Sequence, residues 1–446
     1  MCLAEENSLL NLHMPKKLFF VLFAFISCVT YAQTHTIKGM GNLPNGVIIH
    51  LWKTTGRTLD LVDSTKVSNN AYEFKGTYSE GLYAVGVNPS TMVIFAMDNN
   101  EPTTVLKLTS MKWDTGTTCA EGENNKIWFE YVPKEAEFNK NKRELTVKWK
   151  RDGDTSAQHK LQALERDFIN YQNSLIAKKK CFATQVIQWK QEPYSDKVHY
   201  WDNINFADTR ILHTTVLNDR IQSFMRSFSK GTESGFIDCI ALVADKAHAN
   251  QDVYEYALNE MLTGFYESGM ENITVYLMDN YINDNSCGDE NFSNVIKRNA
   301  ESIGRLAIGS TPLNITGNDQ NDAAFDLKKT CSKNSYTVLM FWSSWCTHCK
   351  QESPKITALY KNYSAKKVAF VGYSVDTDVN AWRAALTERE FTFTNVCGLK
   401  GWESKAAKDY RVTKTPAFYV LDKNMKIVAK PRTPEELETF LKLGSK

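Results

Sequence analysis

At 446 residues the chain is too long for one ordinary hydrophobic core and points to two or three domains. Hydrophobic residues make up 42%, the share of a globular protein, so neither a disordered nor a membrane-embedded chain fits. Lysine and arginine number 53 against 51 acidic residues, which excludes an electrostatic case for nucleic acid or an anionic membrane surface as partner.

Residues 1–32 read as an upstream extension followed by an export signal. Met14 is the better start, because Lys16 and Lys17 then precede the apolar run LFFVLFAFISCVTYA, which ends on Ala32 before Gln33. A bilayer-spanning helix needs about 20 apolar residues, more than this run supplies. Cleavage after Ala32 gives soluble export to the periplasm or cell envelope. Cys28, after Phe25-Ile26-Ser27, offers a loose lipid-attachment box and a second reading as a lipid anchor. Ten cysteines are scattered over the chain, and in an exported protein disulfides can persist. Only Cys346 and Cys349 have a spacing with chemical meaning; the others read as small buried hydrophobes.

Residues 34–115 alternate short β-type runs (GVIIHLW, AYEFKGTY, GLYAVGV, TMVIFAM) with Asn-Gly, Asn-Asn, Glu-Gly and Asn-Pro turns, which predicts a small all-β module, a sandwich or barrel. Residues 120–300 carry helical periodicity in HKLQALERDFINYQNSLIAKK, TRILHTTVLNDRIQSFMRSF and DVYEYALNEMLTGFYESG, and predict an α-helical connector through which a homodimer could form. His159, His199, His213 and His248 have no i, i+4 partner and read as structural. Residues 305–446 alternate strand and helix patterns and predict a mixed α/β domain. It closes on a helix with Thr433 as N-cap, Pro434 first inside and Glu436 completing a capping box.

The cysteine pair falls where the strand YTVLMFWSS meets a helix that starts near Cys346. Unpaired N–H groups and the helix dipole stabilise a thiolate there, so Cys346 can attack. Cys349 lies about one turn on along the same face and can resolve a mixed disulfide. A zinc site would need two further ligands at ribbon-like spacing, which neither Cys397 nor His348 supplies, so no metal is expected. His348, between the cysteines, can tune the potential by favouring the Cys346 thiolate.

FWSSWCTHCKQESP, with the later KTPAFYVLD, resembles the thioredoxin superfamily, in particular its exported TlpA/ResA-like branch. The resemblance covers residues 305–446 and implies a thioredoxin-like domain with a redox-active Cys346–Cys349 disulfide. It assigns Trp345 to the rim of the site, Glu352 to proton exchange with Cys349, and Thr415 with a cis Pro416 to the surface that meets an extended client. The preceding module and helices resemble the amino-terminal extensions of some exported bacterial members. One departure stands out: thioredoxins carry an aspartate, and many exported relatives an asparagine, where this chain has Met340, which cannot relay protons. Trp342 is placed with Trp345 at the rim, core packing being its alternative, and Cys331 and Cys397 are candidates for a second disulfide.

The expected protein is therefore an exported thiol–disulfide oxidoreductase that exchanges disulfides with envelope proteins, as a reductant fed by a membrane or envelope redox donor, with no cofactor and no metal. Three alternatives stay open. One is a disulfide oxidant or isomerase of the same fold, which His348 favours. The second is a peroxiredoxin-like peroxidase, although Leu339 and Ser343 occupy the positions of its Pro and Thr. The third is an envelope binding or scaffold protein whose amino-terminal regions do the main work.

Overall fold

In the computed structural model, residues 34–110, 112–282 and 293–444 are described. The expected export signal and Cys28 lie outside them, as does Cys287.

Eight strands form two four-stranded sheets: β1 (Thr34–Gly41), β2 (Ile48–Thr55), β3 (Thr58–Lys66), β4 (Ala71–Thr77), β5 (Gly81–Asn88), β6 (Thr91–Met97), β7 (Thr103–Leu108) and β8 (Thr117–Glu121). One sheet runs β4-β1-β7-β8 and the other β3-β2-β5-β6. Alternate residues point inward, so Ile37, Phe74 and Leu106 from one sheet meet Ile49, Leu51, Tyr83, Val85 and Phe95 from the other in a shared core. A single turn, α1 (Trp113–Gly116), leads into β8.

A helical region follows, comprising α2 (Glu123–Asp152), α3 (Thr155–Lys178), α4 (Phe182–Trp189), α5 (Val216–Phe228), α6 (Glu233–Ala247), α7 (Gln251–Glu267), α8 (Glu271–Leu277) and α9 (Asn294–Gly304). The segment TRILHTT does not join α5, because Thr209–His213 is a 3-10 turn. α2 stops at Gly153, whose left-handed φ of 70° suits glycine, and Asp154 caps α3 by accepting the Ala157 N–H.

Helix α2 is bound to the edge of the second sheet. β6 is an edge strand whose outward backbone groups need partners. Asn125 Oδ1 accepts the Ala96 N–H at 2.8 Å, and the Asn124 and Asn125 amides donate to the Ala96 carbonyl at 2.8 and 2.7 Å. Trp128 Nε1 donates to the Ile94 carbonyl at 3.0 Å. The same sheet turns Leu82 and Ala96 into the helical core, so most of β5 and the end of β6 are buried on both faces.

The carboxy-terminal domain opens with a hairpin of β9 (Thr316–Asn318) and β10 (Ala324–Asp326), then α10 (Leu327–Lys333). Its five-stranded sheet contains β11 (Tyr336–Trp342), β12 (Val368–Ser374), β13 (Thr394–Cys397), β14 (Ala417–Asp422) and β15 (Ile427–Ala429) in the order β13-β12-β11-β14-β15. β11, β12 and β13 are parallel; β14 runs antiparallel to β11, and β15 to β14. Helices α11 (Thr347–Tyr363), α12 (Val379–Glu388), α13 (Lys405–Asp409) and α14 (Pro434–Gly444) complete the domain. β11 is buried on both sides. Val338, Met340 and Trp342 face the core that includes Ile356 of α11, Trp382 of α12 and Leu437 of α14, while Leu339 and Phe341 face Tyr410 and Tyr419. At α14 the Thr433 hydroxyl accepts the Glu436 N–H at 3.3 Å, but the Glu436 carboxylate accepts from Arg432 N, not from Thr433, so the expected capping box is only half made.

This domain docks on the helices through polar contacts around Tyr266. Arg411 donates to Asn299 Oδ1 at 2.7 Å and lies over the Tyr266 ring, and Lys430 pairs with Glu271 and donates to the Leu306 carbonyl at 3.0 Å. Among the described residues no helix is long and apolar enough to cross a membrane.

Replacing Asn125 by Leu keeps its branched outline but strands the buried Ala96 N–H. Leaving one such group unpaired costs about 1–3 kcal/mol, so Asn125→Leu should lower the urea unfolding midpoint of the full chain by that equivalent; an unchanged midpoint would contradict the edge-capping role.

Candidate redox site

The site is built by the turn from β11 into α11. Phe341 and Trp342 end the strand inside the domain, the chain turns at Ser343 and Ser344, and Cys346 becomes the N-cap of α11. Its sulfur takes the place usually held by a serine or aspartate oxygen: the Cys349 N–H is directed at Cys346 Sγ from 3.0 Å. Cys346 and Cys349 are joined as a disulfide, with 5.2 Å between their Cα atoms. Both are largely enclosed, Cys349 completely and Cys346 with 6% of its surface exposed. On reduction, the N–H that now meets a disulfide sulfur would meet a thiolate, and the helix dipole would act in the same sense.

The Thr415 carbonyl oxygen lies 3.4 Å from Cys346 Sγ. The Thr415–Pro416 bond is cis, and β14 starts at the next residue, Ala417. Pro354 inside α11 cannot donate to the Lys350 carbonyl. The Ser353 hydroxyl takes over that acceptor at 2.8 Å, which lets the helix continue.

The two tryptophans part company. Trp345 is 59% exposed and lies beside Trp402, ring centroids 6.0 Å apart in an edge-to-face arrangement. Trp342 is fully buried, so of its two readings, rim and core packing, it takes the core. Its indole N–H donates to Asn395 Oδ1 at 3.0 Å, and its ring packs edge-to-face on Phe391. Asn395 is itself held by Gln320, whose amide accepts from Asn395 N and donates to the Phe393 carbonyl, so that the edge strand β13 is covered as β6 is.

His348 is exposed on the first turn of α11. Glu352 stands one turn after Cys349 with Oε2 3.2 Å from Lys355 Nζ, and no hydrogen bond joins it to Cys349 among the described residues. Met340 is buried in the same core as both cysteines, which leaves an apolar side chain where a relay carboxylate would stand. Cys331 and Cys397 are free and belong to opposite faces of the sheet, so they do not pair. Burial pushes the Cys331 thiol up to about 11 and raises that of Cys397. Neither has the thiolate character of a reactive cysteine. Among the described residues no cluster of histidine, cysteine and carboxylates could hold a metal.

Residues 308–430 match the AhpC/TSA family. Around this match the chain is similar to the thiol-disulfide oxidoreductase ResA of Bacillus anthracis, 29% identical over 147 residues that make up 31% of this chain and 79% of the relative. The carboxy-terminal α/β domain is thioredoxin-like and similar to thiol–disulfide oxidoreductases. Sporulation thiol-disulfide oxidoreductase A of Bacillus subtilis is 27% identical over 115 residues, covering 24% of this chain and 68% of the relative. Among solved structures, the thioredoxin domain of a thiol-disulfide oxidoreductase from Bacteroides vulgatus matches with a TM-score of 0.30 at 26% identity, covering 32% of this chain and 99% of that one. A thioredoxin-like protein from Bacteroides caccae matches with a TM-score of 0.38 at 19% identity, covering 58% of this chain and 93% of that one.

Sequence reasoning passed over four residues of this thioredoxin-like domain. Asp376 lies just past the carboxyl end of β12, where sites in α/β sheets collect, and that position was a usable signal. Its buried carboxylate accepts from Ser344 N at 2.9 Å, Ser344 Oγ at 2.5 Å and Ser374 Oγ at 2.5 Å. Arg389, Asn395 and Trp402 carry no local signal, since an arginine ending a helix reads as a surface residue and the other two as loop or strand filler.

Gly372 on β12 makes room for the Trp342–Asn395 contact. A Cβ there would overlap Asn395 Oδ1 and reach within 2.9 Å of Trp342 Nε1. Overpacking of this kind costs about 1–3 kcal/mol. Gly372→Ala should lower the thermal midpoint accordingly and shift the Trp342 fluorescence; a wild-type midpoint and spectrum would contradict it.

Proposed function

We propose that this chain is an exported reductant of protein disulfides in the cell envelope, with Cys346 as nucleophile and Cys349 as resolving cysteine. The single observation that carries the reading is the Cys346 sulfur at the head of α11, with the Cys349 N–H at 3.0 Å on one side and the Thr415 carbonyl on the other. In the dithiol form, the Cys346 thiolate attacks one sulfur of a client disulfide; a Cys346–client bond forms and the other client sulfur leaves as a thiolate. Cys349 then loses its proton and attacks Cys346 Sγ, which expels the second client thiolate and leaves the Cys346–Cys349 disulfide. Two electrons and two protons pass to the client, and an envelope thiol donor restores the dithiol.

Thr415 offers backbone groups to an extended client segment, and the Trp345–Trp402 pair gives that segment an apolar surface. Glu352 is the carboxylate best placed along α11 to take the Cys349 proton, since Met340 cannot. His348, exposed beside the pair, favours the thiolate when charged. The reductant direction follows the resemblance to TlpA/ResA-like proteins, and the envelope location follows the amino-terminal signal.

Cys349→Ser removes the resolving thiol and should accumulate mixed disulfides between Cys346 and envelope proteins, visible as reducible high-mass species on non-reducing gels. Cys346→Ser should give none and should lower disulfide reductase activity at least a hundredfold (about 2.7 kcal/mol of barrier). Reductase activity that survives in Cys346→Ser would sink the assignment.

A further inference from the structure

The turn that delivers Cys346 to its helix is held from below by a buried cation. Arg389, the residue that ends α12, is only 4% exposed. Its Nη1 donates to the Ser343 carbonyl at 2.9 Å and its Nη2 to the Ser344 carbonyl at 2.6 Å. The guanidinium also lies over the Trp342 ring, 5.1 Å from its centroid. Its own carbonyl accepts from Thr357 Oγ1 of α11 at 3.2 Å, which ties the end of α12 to the helix that carries the cysteines.

The Ser343 carbonyl is the link to the sulfur chemistry, because the Cys346 N–H donates to it from 3.3 Å. Arg389 thus shares an acceptor with the nucleophile's own backbone. Burying a guanidinium is costly unless its donors are matched; here Nη1 and Nη2 are spent on two consecutive carbonyls of one turn, while the buried Nε has no partner. A fork of fixed planar geometry suits that task better than an ammonium. An arginine needed only to close α12 would have no reason to reach the turn ahead of the cysteines.

A buried anion holds the same turn from another side. Asp376, from the end of β12, accepts both the N–H and the hydroxyl of Ser344. The remaining charged neighbours are paired outward: Glu388 with Lys350 at 2.6 Å and Glu390 with Lys361 at 3.3 Å. The turn before Cys346 is therefore gripped between one interior cation and one interior anion.

We infer that Arg389 and Asp376 are positioning residues that set the reduction potential of the Cys346–Cys349 pair. They do so by fixing the Ser343–Ser344 turn and by acting with opposite charge on the sulfur that becomes a thiolate. Arg389 favours the reduced form and makes the disulfide more oxidising, while Asp376 favours the disulfide. This rests on the reading of the pair as redox-active and adds the residues that tune it.

The test is equilibration of the full chain with buffers of reduced and oxidised glutathione, read by mass spectrometry after alkylation. Arg389→Met should lower the equilibrium constant for reduction about tenfold, about 30 mV for a two-electron couple. Asp376→Asn, which keeps an acceptor for Ser344, should raise it by a similar factor, and Arg389→Lys, which keeps the charge, should stay within about threefold of wild type. A merely structural role would move Arg389→Met and Asp376→Asn in one direction or not at all, and either result overturns the inference. Where the methionine variant does not fold, Arg389→Gln takes its place. If neither folds, Asp376→Asn decides alone, and an unchanged or lowered constant there contradicts the proposal. A wild-type pair that does not interconvert at all would instead overturn the redox reading itself.

Discussion

A helix must begin somewhere, and its first N–H groups need acceptors. In this protein α11 begins at a sulfur. The Cys349 N–H at 3.0 Å from Cys346 Sγ is a capping bond, and the same bond would hold a thiolate once the disulfide opens. Structure and reactivity therefore draw on one contact. The surrounding domain keeps that contact in place: β11 is buried on both faces, so its end cannot shift, and Ser343 and Ser344 are held by interior side chains. Thr415 then closes the far side of the sulfur.

The amino-terminal two thirds are joined by a different device that recurs in the redox domain. An edge strand leaves backbone groups open to unwanted pairing. At β6 a side-chain amide, Asn125, both accepts from and donates to the Ala96 backbone, and helix α2 comes with it. At β13 the Gln320 amide spans Asn395 N and the Phe393 carbonyl in the same manner. In one case the amide fixes a domain boundary, and in the other it steadies the partner of Trp342.

Much of this was legible in the residues. The strand-to-helix setting of Cys346 and Cys349 follows from YTVLMFWSS and the pattern after it, and the β, helical and α/β regions follow from periodicity. What stayed hidden did so for physical reasons. β3 reads TLDLVDSTK, a largely exposed strand whose mixed polarity gives no clear alternation. α2 is mostly polar and carries Pro133, so only a few buried residues, Ile127, Trp128, Tyr131 and Phe138 among them, mark its inner face. Trp342 and Trp345 cannot be told apart by type; only the register of β11 shows that one is buried and the other exposed. Arg389 and Asp376 reach the site from the ends of other elements, and such convergence is a property of topology, not of local sequence.

The account turns on whether Cys346 and Cys349 exchange electrons as a pair. The most direct measurement is the reduction potential of the wild-type chain against dithiothreitol and glutathione, with the alkylated cysteines located by mass spectrometry. The account predicts one two-electron transition confined to Cys346 and Cys349, toward the thioredoxin end of a range of about −270 to −120 mV, with Cys331 and Cys397 unchanged throughout. A disulfide between those two residues that never opens or never re-forms across that range would contradict it.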